Sequence, residues 1–485
     1  MNEEIRQLSP SALWNHFADL NAVPRPSKKE GRVIAFMKAF GESLNLNTYV
    51  DEIGNVIIKK PASLGMEDRQ TVILQSHLDM VHQKNSDTVF DFDQQGIEMY
   101  VEGDWVKAKG TTLGADNGIG VSAIMSLLAS TDIPHPPLEA LFTIDEETGM
   151  TGAIALKGGL LDGNILLNLD TEEDNELTIG CAGGIDVTAT GTYNEVQPVG
   201  TAAFQINVKG LKGGHSGVDI HLGRANANKL MNRILYTLTR DCKIGIASVD
   251  GGSLRNAIPR ESKAVIVADN TSASKLPSII AHLQSVLQHE YATTDPNLSV
   301  TFFPVNMPVR VMDADFQHKL LRSVYTCPNG VYRMSPEIAG LVQTSNNLAR
   351  VIVNDGAYTI QCLTRSSVDT EKEDLGNAIG CCFELAGAAM AYTGGYPGWE
   401  PRPDAPIVQI MSSLYQEMFH SPANVDAIHA GLECGILGTN YPEVQMISFG
   451  PNIVGPHSPD EKVQISSVQK FWSFLLETLK RTPNK

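Results

Sequence analysis

The sequence predicts a two-domain α/β protein: one domain holds a mixed, mainly parallel sheet flanked by helices, and an α+β domain is inserted into it. Its 485 residues exceed what one hydrophobic core usually holds. Between about residues 70 and 180, short apolar runs alternate with helical patterns, which is typical of a parallel sheet covered by helices. The composition changes near 183–200 and again near 395, which marks the ends of the insert.

The elements of the first domain follow from their periodicity. Apolar side chains recur on one face in the helical segments, whereas the buried strands are short apolar runs that end in polar residues. We predict helices over 10–20, 118–130 and 466–481, and strands over 71–75, 138–144, 164–170 and 444–451. Because ligands bind beyond the carboxyl ends of parallel strands, the polar residues at these ends are candidates for a site.

The inserted domain begins in a stretch rich in glycine and threonine, and it ends in the Gly- and Pro-dense TGGYPGWEPRPDAP. We therefore predict a discontinuous main domain over 1–184 and 396–485, with the insert at 185–395. Within the insert, segments 254–267 and 344–367 both have the pattern of an Asn-containing turn that leads into an apolar strand. This weak match predicts that the insert consists of two similar halves.

Charge and cysteine content exclude several classes of protein. A net charge of -18 argues against binding nucleic acid, because the phosphates would be repelled. No apolar run reaches the roughly 18 residues of a membrane span, and the acidic N-terminus lacks the pattern of a signal peptide, so we expect a cytoplasmic protein. Seven cysteines without a CxxC motif indicate neither a disulfide framework nor a thiolate zinc site. Any metal ligands should then be histidines and carboxylates.

Five short stretches concentrate such side chains at strand ends. They are SHLDMV, GADNGIG, DEETG, NLDTEE and GPHSPDE, which contain His77, Asp116, Glu147, Asp170 and His457. Each stretch alone is unspecific, but their order and shared position suit two zinc ions that share a carboxylate and a hydroxide. Three ligand carboxylates and one hydroxide would balance the charge of two zinc ions.

Spacing suggests how neighbouring side chains divide the work. His77 and Asp79 are two residues apart and point to the same side of an extended segment, so Asp79 is placed to orient the His77 ring. Glu146 and Glu147 are adjacent and should diverge. One of them can bind metal while the other serves as a general base.

Six segments in one order resemble a known family across nearly the whole chain. They are TTLGADNGIG, CAGGID, KGLKGGHSG, LRNAIPRE, HAGLECG and GPHSPDE. The family is that of the dizinc metallopeptidases, which includes peptidase T, carnosinase and the glutamate-releasing carboxypeptidases, and the match is closest to its bacterial Xaa-His dipeptidases. The resemblance implies that Asp116 bridges both zinc ions, that His77 and Asp170 complete one site, and that Glu147 and His457 complete the other.

The resemblance also assigns roles beyond the metal ligands. It implies that Glu146 is the general base, that Asp79 orients His77, and that the peptide bond between Asp116 and Asn117 is cis.

In the insert, which would act as a lid and a dimerisation-like domain, the resemblance implies that His215 stabilises the oxyanion. Asn256 and Arg365 would bind the free carboxylate of a dipeptide, and Glu433 and Gly435 would come near the site, Gly435 as a substrate contact. The alternatives are that Asn256 only caps a turn and that Arg365 forms a structural ion pair. His221 and His429 lie close to motif residues and remain candidates for supporting roles.

The expected activity is hydrolysis of unblocked dipeptides, preferring Xaa-His substrates such as carnosine, by a hydroxide on two Zn2+ ions, for which Co2+ or Mn2+ could substitute. We expect a homodimer that binds small dipeptides and neither nucleic acid nor membranes. Two alternatives remain: an aminoacylase that cleaves N-acyl amino acids on the same fold, and a non-catalytic metal-binding assembly protein.

Overall fold

The computed structural model describes residues 2–485, which form two compact units. The first unit runs to Cys181 and resumes at Trp399–Ala427 and Leu432–Lys485, and the second comprises Ala182–Gly398 and Ile428–Gly431. The sequence placed the two changes of domain at 184/185 and 395/396, and it did not suggest that 428–431 would return to the second unit.

Helices occur in both units. In chain order they are α1 (Glu3–Arg6), α2 (Ser11–Leu20), α3 (Gly31–Ser43), α4 (Ala115–Ala129), α5 (Glu146–Gly149), α6 (Thr151–Ala155), α7 (Ala227–Asp241), α8 (Asn270–Glu290), α9 (Ala314–Thr326), α10 (Asp369–Glu384), α11 (Pro406–Phe419), α12 (Glu433–Asn440) and α13 (Ile465–Lys480), with a 3-10 turn at Ile220–Leu222. No helix in this described part of the chain combines the length and the apolar character that crossing a bilayer requires.

The strands, also in chain order, are β1 (Asn47–Val50), β2 (Val56–Lys60), β3 (Val72–His77), β4 (Met99–Glu102), β5 (Trp105–Ala108), β6 (Leu138–Thr143), β7 (Ile165–Asn168), β8 (Glu176–Cys181), β9 (Gly183–Thr192), β10 (Glu195–Val196), β11 (Ala202–Lys209), β12 (Gly214–His215), β13 (Ile244–Gly252), β14 (Ala257–Ile258), β15 (Ser262–Ala268), β16 (Ser299–Val305), β17 (Val311–Met312), β18 (Gly330–Met334), β19 (Val342–Asn354), β20 (Ala357–Ser366), β21 (Ala389–Tyr396), β22 (Asn424–Ile428), β23 (Gln445–Ser448), β24 (Ile453–Val454) and β25 (Lys462–Gln464).

The first unit is built on an eight-stranded sheet with the order β1-β2-β6-β3-β7-β23-β8-β22. Its central pairs, β6 with β3, β3 with β7 and β7 with β23, are parallel, whereas β1, β2 and β8 pair antiparallel. Every residue of β3, β6 and β7 is buried, and most of their side chains are apolar, as expected for central strands covered by helices such as α4. The predicted mixed sheet is confirmed; its parallel part is the centre, where the carboxyl ends of the strands meet at one edge.

A smaller four-stranded sheet in the same unit has the order β24-β25-β5-β4. It pairs strands near residue 100 with strands after residue 453, so the C-terminal segment that precedes α13 is hydrogen-bonded to the N-terminal part of the first unit.

The second unit is built on a nine-stranded antiparallel sheet, and its helices α7 to α10 share one apolar core with the strands. Along the main path the order is β16-β11-β15-β13-β19-β20-β9-β21. The main path divides into two sets of four strands, and each set is numbered 1 to 4 along the chain. Counted from the outer edge of the sheet inwards, β16-β11-β15-β13 has the order 4-1-3-2. The other set, β21-β9-β20-β19, has the same order when it is counted from its own outer edge. The two sets meet where β13 pairs antiparallel with β19.

One detail of the predicted repeat is wrong. Asn346 and Asn347 lie inside β19 and form no turn. Their buried side chains donate hydrogen bonds to loop carbonyls, Asn346 Nδ2 to Pro328 O at 2.7 Å and Asn347 Nδ2 to Arg255 O at 3.0 Å. Two asparagines that donate hydrogen bonds to neighbouring loops therefore have the composition of a turn although they lie in a strand.

Candidate metal centre

The central strands of the first unit place four acidic or imidazole side chains at one edge. His77 is the last residue of β3, and Asp170 lies two residues beyond β7, which pairs with β3 in parallel. Glu146 and Glu147 open the short helix α5, just after β6 ends on the other side of β3. Parallel pairing therefore gathers these side chains, as the strand-end argument predicts.

Two further residues lie where the backbone is irregular. Asp116 precedes the regular part of α4, where Asp116 and Asn117 have non-helical backbone angles and are joined by a cis peptide bond, as the resemblance implied. His457 lies between β24 and β25 with a positive φ of 61°.

These side chains form two groups that share Asp116. In the first, His77 Nε2 lies 3.1 Å from Asp116 Oδ1 and 3.6 Å from Asp170 Oδ1. In the second, His457 Nε2 lies 3.2 Å from Asp116 Oδ2 and 3.0 Å from Glu147 Oε2. Within each group the donor atoms lie within 4.8 Å of one another, which is the arrangement that two neighbouring cations with a common carboxylate require.

Asp79 supports the first group from behind. The Asp79 carbonyl oxygen and Oδ1 lie 3.2 and 3.4 Å from His77 Nδ1, so the Nδ1 proton faces Asp79 and Nε2 is free to bind a cation. The fully buried Asp79 carboxylate also accepts the backbone N–H groups of Glu146, at 3.0 Å, and Glu147, at 3.3 Å. One side chain therefore fixes both an imidazole ring and the start of α5.

The adjacent glutamates differ in their contacts. The Glu147 carboxylate is 3 % exposed and contacts His457. The Glu146 side chain forms no hydrogen bond with residues 2–485, although Glu146 belongs to a third acidic and imidazole group with His77 and Glu147. Glu147 therefore has the contacts of a ligand, and Glu146 has those of a free base beside it.

Two orphaned atoms test whether cations fit this arrangement. Glu147 Oε1 and Asp170 Oδ1 are buried without a hydrogen-bond partner in the described chain. Such atoms are rare, because leaving a buried charged oxygen unsatisfied is costly. Each belongs to a different one of the two groups, so a divalent cation in each would satisfy both, and the residues present fit a binuclear centre.

Electrostatics lead to the same conclusion. Burial raises the pKa of Glu146 well above its usual range and that of Asp170 as well, and neighbouring carboxylates add to both. Hydrogen bonds to Asp116 and Glu147 raise the pKa of His457 to about 11. Raised pKa values of both the carboxylates and the imidazole are the effect of an excess of negative charge, which bound cations would offset.

Other buried carboxylates near the centre were not assigned roles from the sequence. Glu433 is 2 % exposed, and its Oε2 accepts hydrogen bonds from Gln75 Nε2 at 2.6 Å and Thr143 Oγ1 at 2.7 Å. Burial raises the pKa of Glu433 to about 7 and that of Glu172 to about 8. Glu433 stood in the quoted HAGLECG motif, but nothing in the sequence joined it to the strands β3 and β6.

Gly435, the remaining residue predicted for this unit, is buried in the first turn of α12 and donates its N–H to Leu432 O at 3.1 Å. It offers backbone atoms only.

In the second unit, His215 and Asn256 lie together. The strand pair β12 and β14 sets His215 opposite Ala257, and Ser216 N donates to Asn256 O at 2.8 Å. His215 Nδ1 accepts the N–H groups of Gly217 and Val218 at 3.2 and 3.1 Å, so in the neutral ring Nε2 carries the proton. Burial and Arg365 lower the pKa of His215, which favours this neutral donor. The Asn256 side chain is exposed and forms no hydrogen bond with residues 2–485.

Arg365 lies on β20 and is 5 % exposed. Its Nη1 donates to Tyr396 Oη at 2.7 Å, its Nε is buried without a partner, and no carboxylate of the described chain lies within ion-pair distance. The alternative of a structural ion pair belongs instead to Arg255, whose Nε lies 3.1 Å from Asp186 Oδ2. Arg365 is a buried guanidinium with unused donors.

His429 forms its side-chain hydrogen bond within this unit. Its Nε2 lies 2.7 Å from Ser345 Oγ. Burial, followed by Arg365 and His215, lowers the pKa of His429 to about 3.

Comparison with known proteins identifies the family. The family model described as a peptidase dimerisation domain matches residues 206–295. The cytosol non-specific dipeptidase of Escherichia coli (strain K12) is 42% identical over 483 residues, which cover 99% of this chain and 100% of that protein.

Solved structures of related peptidases are similar to this chain as well. The aminoacylhistidine dipeptidase from Vibrio alginolyticus is 42% identical with a TM-score of 0.95, covering 100% of this chain and 99% of that one. Aminopeptidase PepT from Bacillus cereus ATCC 10987 has the same fold, with a TM-score of 0.56, 14% identity and 98% of each chain covered. Full-length identity at this level, together with the matched domain, shows that the chain belongs to the M20 family of metal-dependent peptidases.

Proposed function

We propose that this protein is a cytoplasmic dipeptidase that hydrolyses unblocked dipeptides, with a preference for Xaa-His substrates such as carnosine, at a centre of two Zn2+ ions. The observation that carries the proposal is the pair of three-residue groups that share Asp116, each with one orphaned carboxylate oxygen. The full-length relatives named as a non-specific dipeptidase and as an aminoacylhistidine dipeptidase support the substrate class.

The ligands in this proposal are His77, Asp116 and Asp170 for one cation and Asp116, Glu147 and His457 for the other. When bound, the two cations polarise the scissile carbonyl and stabilise the negative charge that develops on it.

Glu146 performs the proton transfers. Its carboxylate has no hydrogen bond to residues 2–485, so it is free to take a proton from the attacking water and to return it to the leaving amine. Burial raises its pKa well above that of an ordinary glutamate, which brings it towards the range in which a base can also act as an acid. Asp79 keeps this arrangement in place, because it holds both the backbone of Glu146 and the ring of His77.

The second unit binds the substrate. His215 donates its Nε2 proton to the oxyanion, because Nδ1 is occupied by backbone N–H groups. Arg365 binds the terminal carboxylate through its unused donors, with the exposed Asn256 as a further donor. Gly435 lines the substrate position in the first unit through its backbone.

Zinc is proposed over Co2+ and Mn2+ because two imidazoles and three carboxylates suit its coordination, although such ligands bind all three metals. A homodimer is proposed from the match to a peptidase dimerisation domain over residues 206–295. The cytoplasmic location rests on the relative named as a cytosol dipeptidase.

The proposal is tested on purified protein whose metal content is measured by inductively coupled plasma mass spectrometry. Two zinc ions per chain are expected, together with hydrolysis of carnosine and Gly-His. N-acetyl-histidine is the matched control substrate, because it keeps the terminal carboxylate and the amide but lacks a free amine. Faster hydrolysis of N-acetyl-histidine would make the protein an aminoacylase, and absence of hydrolysis with both metals bound would make it a metal-binding protein.

A further inference from the structure

A carboxylate outside both ligand groups holds the loop that carries Asp116. Glu461 is 2 % exposed, and its two oxygens accept four consecutive backbone N–H groups. The contacts of Glu461 Oε2 are Leu113 N at 2.7 Å and Gly114 N at 3.0 Å, and those of Oε1 are Ala115 N at 2.8 Å and Asp116 N at 3.3 Å. The last of these N–H groups belongs to the residue shared by both ligand groups.

Glu461 also couples this loop to His457, since only three residues separate them in the loop that leads into β25. A single short segment thus supplies one imidazole and fixes the backbone of the carboxylate that the imidazole contacts at 3.2 Å.

Arg25 holds the same loop from its carbonyl side. It is 1 % exposed, and its Nη2 donates to Gly114 O at 2.6 Å. Its Nη1 donates to Leu78 O at 3.1 Å and Asp79 O at 3.0 Å, the two residues that follow His77. The guanidinium therefore ties the loop of Asp116 to the end of β3, and its charge lies close enough to Glu461 to interact with it.

We propose that Glu461 and Arg25 are positioning residues of the binuclear centre: together they fix the backbone of Asp116 relative to His77 and His457, and so set how well both cations bind. The inference rests on the proposed function, in which Asp116 is the shared ligand. A carboxylate that serves two cations tolerates little displacement, because a shift towards one lengthens its bond to the other.

The test uses Co2+ alone as the probe, added to metal-free protein and followed by titration calorimetry and by visible absorption, which reports the ligands around the ion. The variant is Glu461→Gln, whose amide leaves part of the four N–H groups without an acceptor. The matched control is Glu139→Gln. Glu139 is also buried, at 3 % exposed, and accepts the N–H groups of Asp162 and Gly163, but it lies at the opposite end of β6 from the metal centre.

For Glu461→Gln, we expect both Co2+ ions to bind at least roughly tenfold more weakly than in the wild type, with an altered visible spectrum, because both ligand groups contain Asp116. At saturating Co2+, kcat for carnosine should fall more than KM rises, since substrate binding groups are unchanged. For Glu139→Gln, metal affinity, spectrum and kcat should match the wild type even where the melting temperature falls. Unchanged Co2+ affinity and spectrum in Glu461→Gln would overturn the inference.

If Glu461→Gln does not fold by circular dichroism, the same titration of Arg25→Lys decides, because the single nitrogen of lysine cannot occupy both positions from which Nη1 contacts Leu78 O and Asp79 O and Nη2 contacts Gly114 O. Arg25→Lys should weaken Co2+ binding likewise, and wild-type affinity would overturn the inference. Wild-type protein that fails to bind two Co2+ ions would overturn the proposed binuclear centre itself. Two ions in the wild type beside an unaffected Glu461→Gln variant would overturn the positioning role alone.

Discussion

Replacing Glu146 with glutamine should abolish proton transfer without disturbing the metal centre. Glutamine has the shape of glutamate but cannot take a proton from water and return it to the leaving amine. General-base catalysis contributes roughly 100- to 10,000-fold, so kcat should fall by that factor, which corresponds to about 2.7 to 5.4 kcal/mol of activation free energy. The hydrogen bond from Glu146 to Asp79 uses the backbone N–H and survives the substitution.

The structure also predicts that the variant remains folded. The Glu146 carboxylate accepts no hydrogen bond from residues 2–485, and burial among other carboxylates raises its pKa. Glutamine therefore leaves no protein donor unsatisfied and removes one buried charge, so the melting temperature should stay equal to that of the wild type or rise. Both ligand groups around Asp116 keep all their donor atoms, and two metal ions per chain should be retained.

The assay combines metal analysis with steady-state hydrolysis of carnosine, and the neighbouring Glu147→Gln variant is the matched control. Glu147 Oε2 lies 3.0 Å from His457 Nε2, so its substitution should lower the metal content towards one ion per chain. If Glu146→Gln retains more than a tenth of wild-type kcat, or if it loses metal while Glu147→Gln does not, the division between base and ligand is wrong.

Three further substitutions test other parts of the structure. The pKa of His429 is lowered from 6.5 to about 3, so the unfolded chain takes up its proton first as the pH falls. Stability is then lost below about pH 6.5, by roughly 2 kcal/mol at pH 5 relative to His429→Gln, which urea unfolding at both pH values measures. Gly120→Ala would place Cβ 2.5 Å from Leu169 O beside a ligand, so it should cost about 1–3 kcal/mol and weaken metal binding, whereas Gly31→Ala, with open space around it, should do neither. Arg365→Lys should raise KM for dipeptides roughly tenfold or more with a smaller change in kcat, because a single ammonium cannot pair with a carboxylate in two places; unchanged KM would exclude Arg365 from carboxylate binding.

The fold of the first unit could be predicted because its buried strands are continuous apolar runs in the sequence. The apolar runs at 71–75 and 138–144 correspond to β3 and β6, whose residues are all buried. His77 and Asp170 stood out because each ends such a run, where a parallel sheet presents its site. Asp116 carries no such periodic signal and depended on its motif.

The groups that hold the ligands were beyond sequence reasoning for a physical reason. Arg25 binds carbonyl groups of residues 78, 79 and 114, and Glu461 binds backbone N–H groups of residues 113–116. Every residue has such groups, so no pairing of side-chain types reveals the contact. Neither Arg25 nor Glu461 was assigned a role from the sequence, although Glu461 ends the GPHSPDE stretch, and arginine and glutamate are residue types that are rarely fully buried without a partner.

The same limit explains the false turn in the insert. Asn346 and Asn347 have turn-forming side chains, but in β19 those side chains donate hydrogen bonds to backbone carbonyl oxygens of residues that are distant in the chain. Composition reports what a side chain can bond to, and only the folded structure reports where its partner lies.

The 4-1-3-2 strand order occurs twice in the second unit, joined where β13 pairs with β19. In a symmetric pair of identical chains, every mutation appears on both sides of such a joint. Here the two sides are encoded separately, so each can change alone. His215 lies in the short strand β12, which follows β11, whereas β9 in the other set is followed by β10 and then by β11 itself. A mutation in one strand set therefore leaves the sequence of the other set unchanged, and the two sets can evolve at different rates.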